Sequence, residues 1–167
     1  MGQRDLAVND LKWNRWLIRT ARCWDDLKPL LRDVGIEQID CDHREIMELI
    51  LGMESLNAGS GEGDVDLHFV ERQSEMFRKL RESTLVHFET ERATAKDLEL
   101  QAYNNYKGEN QRFLDRLEGF IDDFESGRLA VNSDLRLDLV EWYVEHMNVA
   151  YNIFLVERLL NESFYRE

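Results

Sequence analysis

Pro29 is the only proline in 167 residues, so beyond it no side chain both removes a backbone donor and clashes with the preceding helical turn. Leu, Glu, Arg, Asp and Met are abundant and β-branched residues rarely cluster, which favours helix over strand almost throughout. In residues 37–57, Ile39, Ile46, Ile50, Met53 and Leu56 share one face of a first helix. NAGSGEGD at 57–64 holds three of the nine glycines and little that packs, and reads as a flexible link. Leu67, Val70, Met76, Phe77, Leu80, Leu85 and Phe88 mark a second helix between Val65 and Ala95, with a break expected near Thr94–Asp97 that carries no glycine or proline. A third runs from Tyr103 through Phe113, Leu117 and Ile121 and stops at Ser126-Gly127. Asn132, Ser133 and Asp134 offer N-caps for a fourth, whose apolar positions run from Leu135 to Leu160. Four long helices with short links predict an all-α, antiparallel up-down-up-down four-helix bundle over residues 24–167.

Residues 1–23 read differently. Leu6, Trp13, Leu17 and Trp24 would form one seam of a short helix, interrupted by Asp10 and Thr20. They predict an N-terminal arm packed on the bundle, whose Trp13 and Trp16 either cover a bundle end or contact a protein partner.

The 21 Lys+Arg against 34 Asp+Glu leave a net charge of −13, which repels phosphate backbones and anionic membranes. No basic stripe with interleaved aromatics, no run of ~18 apolar residues and no signal-peptide order at MGQRDLAVND is present, so the expectation is a cytoplasmic protein without nucleic-acid or membrane partners. Cys23 and Cys41 form no CxxC pattern and read as ordinary thiols. No serine or cysteine nucleophile, phosphate cradle or paired catalytic carboxylate has a defensible spacing, so no enzyme activity is expected. Any metal would be functional in origin, because a chain this long buries roughly two thirds of its surface without one.

The four histidines, His43, His68, His87 and His146, cap any histidine-rich site. His87 and Glu91 are four apart and leave one helix face together, as a metal or a buried hydrogen-bonded pair requires. His43 sits between the apolar Ile39 and Ile46, and His146 between Trp142 and Ala150, so three helices aim histidines inward. Two imidazoles and one carboxylate can form a facial triad with open positions for water or dioxygen. His68, at a helix start, reads as exposed.

Trp24-Asp25 followed by GIEQIDCDHREI, with Asp40 three before His43, resembles the bacteriohemerythrins, as do LVHFETE at 85–91 and EWYVEHM at 141–147. The resemblance covers residues 24–160 and implies a hemerythrin-like bundle. It also implies a site that, in the family, holds two irons with five histidines and two bridging carboxylates and carries dioxygen reversibly. His43, His87, Glu91 and His146 match retained ligands. The positions implied for two further histidines are Tyr106 and Asn110, and that of the second bridging carboxylate is Tyr151, although the accompanying Phe113 is in place. The set is incomplete, so neither a di-iron centre nor reversible oxygen carriage is expected.

Three outcomes stay open for the pocket: one iron at His43, His87 and Glu91, with His146 or a tyrosine nearby; no metal; or another small ligand. Tyr106 and Tyr151 read as volume compensation, with hydroxyls bonded to the leftover ligands, which favours the metal-free outcome. The functional expectation is a hemerythrin-like interaction or sensory module. The alternative is a mononuclear iron protein that senses or detoxifies dioxygen, peroxide or nitric oxide, and an oxygen-binding bacteriohemerythrin ranks last.

Overall fold

The computed structural model describes residues 15–53, 67–128 and 133–160. Trp13, the link at 57–64, Leu56 and Asn132 lie outside the described residues. Within them the chain forms four long helices: α1 (Glu37–Leu51), α2 (Leu67–Asp97), α3 (Tyr103–Glu125) and α4 (Ser133–Tyr151). A π-helical turn over Asn152–Glu157 extends α4. The described part of α1 ends at Leu51, six residues before the limit expected from its apolar spacing. No strand occurs among the described residues, and none of their helices is long and apolar enough to cross a membrane.

The helices run antiparallel. Contacts pair rising residue numbers with falling ones, as in Ser83 with Glu45 and His43 with Glu91 between α1 and α2, or Arg116 with Asp138 and Phe113 with Trp142 between α3 and α4. α1 packs on α2 and α4, and α2 packs on α3. The seam between α3 and α4 is closed by aromatic rings, Phe113 stacking on Trp142 with centroids 3.7 Å apart.

Ahead of α1, residues 15–20 are helical, and Ile18, Ala21, Trp24 and Leu27 are all buried in the main core. Trp16 faces outward at 54% exposure. Pro29 falls in a single 3-10 turn, Lys28–Leu30, where its missing N–H costs nothing. The Asp40 carboxylate then accepts hydrogen bonds from the Val34 and Gly35 amides at 2.7 and 3.0 Å. Asp40 thereby clamps the turn before α1, and Gly35, at φ +76°, supplies the left-handed residue that turn requires.

Between α2 and α3, where the sequence offers no glycine, Glu99 takes the left-handed conformation at φ 55°. The Leu100 amide donates back to Ala95 O at 2.8 Å, a Schellman closure, with Leu100 and Ala95 both buried. The Glu157 carboxylate accepts from the Gln101 and Ala102 amides, tying the start of α3 to the end of the bundle.

The core is divided. A large apolar cluster holds Ile46, Leu80, Phe88, Phe113 and Tyr143, and a smaller one holds Ile39, Ala95, Tyr106 and Ala150. On every helix the residue between the two is polar: His43 on α1, Glu91 on α2, Asn110 on α3 and His146 on α4. Each helix therefore contributes to a buried polar layer, α2 doubly through His87 and Glu91.

Candidate metal centre

His43, His87 and Glu91 are 0% exposed and His146 is 2% exposed. The spacings that put them on inward faces follow from the helical repeat: His87 and Glu91 are one turn apart on α2, and His43 and His146 occupy apolar stripes of α1 and α4. Glu91 Oε1 lies 3.5 Å from His146 Nε2, 3.6 Å from His87 Nε2 and 3.9 Å from His43 Nε2. The Nε2 atoms of His87 and His146 are 3.0 Å apart. All four residues offer ligand atoms within 4.8 Å of one another.

The electrostatics of the group are unfavourable on their own. Burial pushes the Glu91 carboxyl up to about 7. Burial also holds His43 and His146 well below the ordinary histidine range, with the neighbouring His87 adding to both effects. Glu91 Oε1 and both ring nitrogens of His43 are buried without a hydrogen-bond partner. Each such atom costs about 1–3 kcal/mol.

Those orphaned atoms fit a cation. Donors about 2.0–2.2 Å from one metal ion stand about 3.3–3.6 Å apart in a tetrahedron and about 3.0 Å apart at neighbouring octahedral corners. The observed separations of 3.0–3.9 Å have that scale.

The outer partners complete the arrangement. Tyr106 Oη is hydrogen-bonded to His146 Nδ1, and Asn110 Nδ2 donates to Glu91 Oε2 at 2.9 Å. The two residues standing at positions implied for ligands thus hold the remaining ligands in place. On the far side of His87, Asp42 Oδ2 lies 3.6 Å from Nδ1. Burial works against the Asp42 carboxylate, but His87 and Gln38 outweigh it and keep it below its usual pKa. At that distance Asp42 Oδ2 and His87 Nδ1 are electrostatic neighbours and not hydrogen-bond partners.

Tyr151 corrects the expectation that it fills the pocket. It is half-buried against the smaller cluster, with the Arg32 guanidinium 5.2 Å over its ring. Five residues of α-helix turn it about 140° away from His146, so the two side chains leave different faces. Cys41 is exposed, and His68 is exposed beside Glu71. Two residues escaped the sequence reading. Asp42 adjoins His43 on α1 and carries no spacing signal of its own. Tyr143 is fully buried, with its ring 5.1–6.4 Å from those of His146, His43 and His87. Its place three residues before His146, on the same face, was the available signal.

Three inward histidines and a glutamate, one layer deep in an antiparallel bundle, define a metal-binding four-helix protein. Residues 34–155 match the family described as the hemerythrin HHE cation binding domain, and the chain belongs to that family. Neither a curated protein nor a solved structure matches the chain.

Proposed function

We propose that this protein is a single-metal module of the hemerythrin family, in which His43, His87, Glu91 and His146 hold one divalent transition-metal ion. It acts through metal-dependent stability of the bundle, as a scaffold or metal-responsive sensor, and neither carries dioxygen on a metal pair nor catalyses a reaction. The observation that carries this reading is the convergence of three Nε2 atoms and Glu91 Oε1 on one buried locus. Tyr106 and Asn110 support one ion over two, because both are committed to ligands of the same centre. The metal supplies positive charge that the buried carboxylate and the orphaned lone pairs lack, and ties α1, α2 and α4 together.

The chain's own residues prepare that site. Tyr106 sets the orientation of the His146 ring and Asn110 that of the Glu91 carboxylate, while the Asp42 carboxylate faces His87 Nδ1 at 3.6 Å without a hydrogen bond. The test is metal content per chain after anaerobic reconstitution with ferrous iron and, separately, with zinc, alongside His87→Ala. One ion per chain, lost in the variant, is expected. Two ions per chain, or none, would overturn the reading.

A further inference from the structure

We infer that a divalent cation reaches the buried centre through the groove between α1 and α2, pausing at an outer site made by Asp42 Oδ2 and His87 Nδ1 before His87 passes it inward; this rests on the one-metal reading above. The four donor residues are at most 2% exposed, so an ion must cross other side chains to meet them. Tyr106, Asn110 and Asp42 back the donors from outside. Tyr106 and Asn110 are themselves buried, whereas Asp42 is partly exposed and lines a surface groove of about 430 Å³.

Asp42 Oδ2 and His87 Nδ1 face each other at 3.6 Å, both buried and both without a hydrogen-bond partner. That separation has the scale that two donors of one cation keep. Asp42 Oδ1 already accepts from Gln38 Nε2 at 2.7 Å, which leaves Oδ2 as the free donor. At its other edge His87 presents Nε2 to the centre, 3.6 Å from Glu91 Oε1. One imidazole therefore spans the outer site and the inner one. It is also less restrained than two of its fellow ligands. Tyr106 holds His146 at Nδ1 and Asn110 holds Glu91 at Oε2, but no bond at His87 Nδ1 has to break for that ring to turn.

The groove carries the charge that a cation route needs. Asp42, Glu45 and Glu82 line it against Lys79 alone, and Lys79 Nζ lies 3.6 Å from Glu75, a residue outside the lining. Ser83 Oγ donates to Glu45 Oε1 at 3.2 Å, which fixes this α1 carboxylate against α2 one helical turn from His87. The remaining lining is apolar, from Ile46, Leu49 and Val86. Carboxylates of one sign over low-dielectric walls focus the field and raise the arrival rate of a cation.

The experiment mixes metal-free full-length protein with zinc(II), a probe without redox chemistry. Stopped-flow competition with a chromophoric indicator measures uptake, excess chelator measures release, and circular dichroism checks the fold of each variant. Val86→Trp puts a bulky ring on the groove lining at an exposed residue, and Leu85→Trp puts the same ring on its exposed neighbour outside the lining. The Val86 variant should slow uptake and release alike, by about tenfold or more, at unchanged affinity and one ion per chain, because a blocked path affects both directions equally. The Leu85 variant should match the parent. Glu45→Gln combined with Glu82→Gln keeps the shape and the acceptor for Ser83, and should slow uptake about 3–10-fold at low salt, a difference that about 1 M salt removes. Asp42→Asn should slow uptake at least as much. Parental uptake rates at low salt in Val86→Trp, in the paired glutamines or in Asp42→Asn would overturn the route while leaving the one-metal reading intact. Slow uptake with parental release in Val86→Trp would also overturn it, because that marks a weakened site and not a blocked path. Absence of any bound ion in the parent would overturn both.

Discussion

Glu91→Gln should move stability and metal binding in opposite directions. The Glu91 carboxyl is completely buried and is pushed up to about 7 from an ordinary value of 4.5. The folded, metal-free protein therefore retains a proton there that the unfolded chain releases between about pH 4.5 and 7. Stability from this group is fully present below the lower value and is lost as pH rises through the higher one. At about 1.36 kcal/mol per pH unit, the loss at pH 8 is about 3 kcal/mol. Glutamine does not ionise, and its carbonyl can still accept from Asn110, so the variant escapes that loss. In chelator at pH 8 it should unfold about 6–12 °C above the parent, and near pH 5 the two should nearly coincide. The lowered pKa values of His43 and His146 tilt both proteins equally and cancel in the difference. With saturating metal the order reverses, because the variant lacks the anionic donor. Its affinity should fall by more than the about 10–100-fold that loss of an outer partner costs. Thermal unfolding at two pH values, with and without metal, measures all four states. A stability difference independent of pH would refute the burial argument, and parental metal affinity in the variant would remove Glu91 from the ligand set.

Tyr106→Phe deletes the hydroxyl on His146 Nδ1 and should weaken metal binding about 10–100-fold at unchanged stoichiometry, measured by competition with a chromophoric chelator. Asp40→Ala orphans the Val34 and Gly35 amides. It should cost about 1–3 kcal/mol in urea unfolding while one metal per chain is retained, and loss of metal would show that Asp40 does more than clamp the turn. Glu99→Gly relieves a left-handed residue at the α2–α3 turn and should gain about 0.5–1 kcal/mol by the same measurement; a loss would mean that the Glu99 side chain contributes more than its backbone strain removes.

Much of the architecture was legible before any coordinates. Helix follows from local propensity and from apolar steps of three and four, and both are properties of a short window. The inward histidines were legible for the same reason, since His43 and His146 interrupt apolar stripes and Glu91 sits one turn from His87. The α2–α3 break was only weakly marked, because the residue that takes the left-handed conformation there is Glu99 and not a glycine. Trp24 read as one position of the seam by which an arm packs on the bundle, and with Ile18, Ala21 and Leu27 it is buried in the main core.

What the tertiary structure decided is the division of labour around the site. Helical spacing sets which face a side chain leaves, but not which atom on another helix it meets. Tyr106 and Asn110 therefore read as vacated ligand positions, although one holds His146 and the other holds Glu91. Tyr151 was grouped with them, but it turns away to pack beneath Arg32. Asp42 comes within 3.6 Å of His87 Nδ1 across forty-five positions of sequence. The sequence by itself determined that three histidines and a glutamate leave the inward faces of their helices, because periodicity is local. Only the packed bundle determined how far apart their donor atoms stand and what supports them, because those distances depend on how four helices are rotated and spaced against one another.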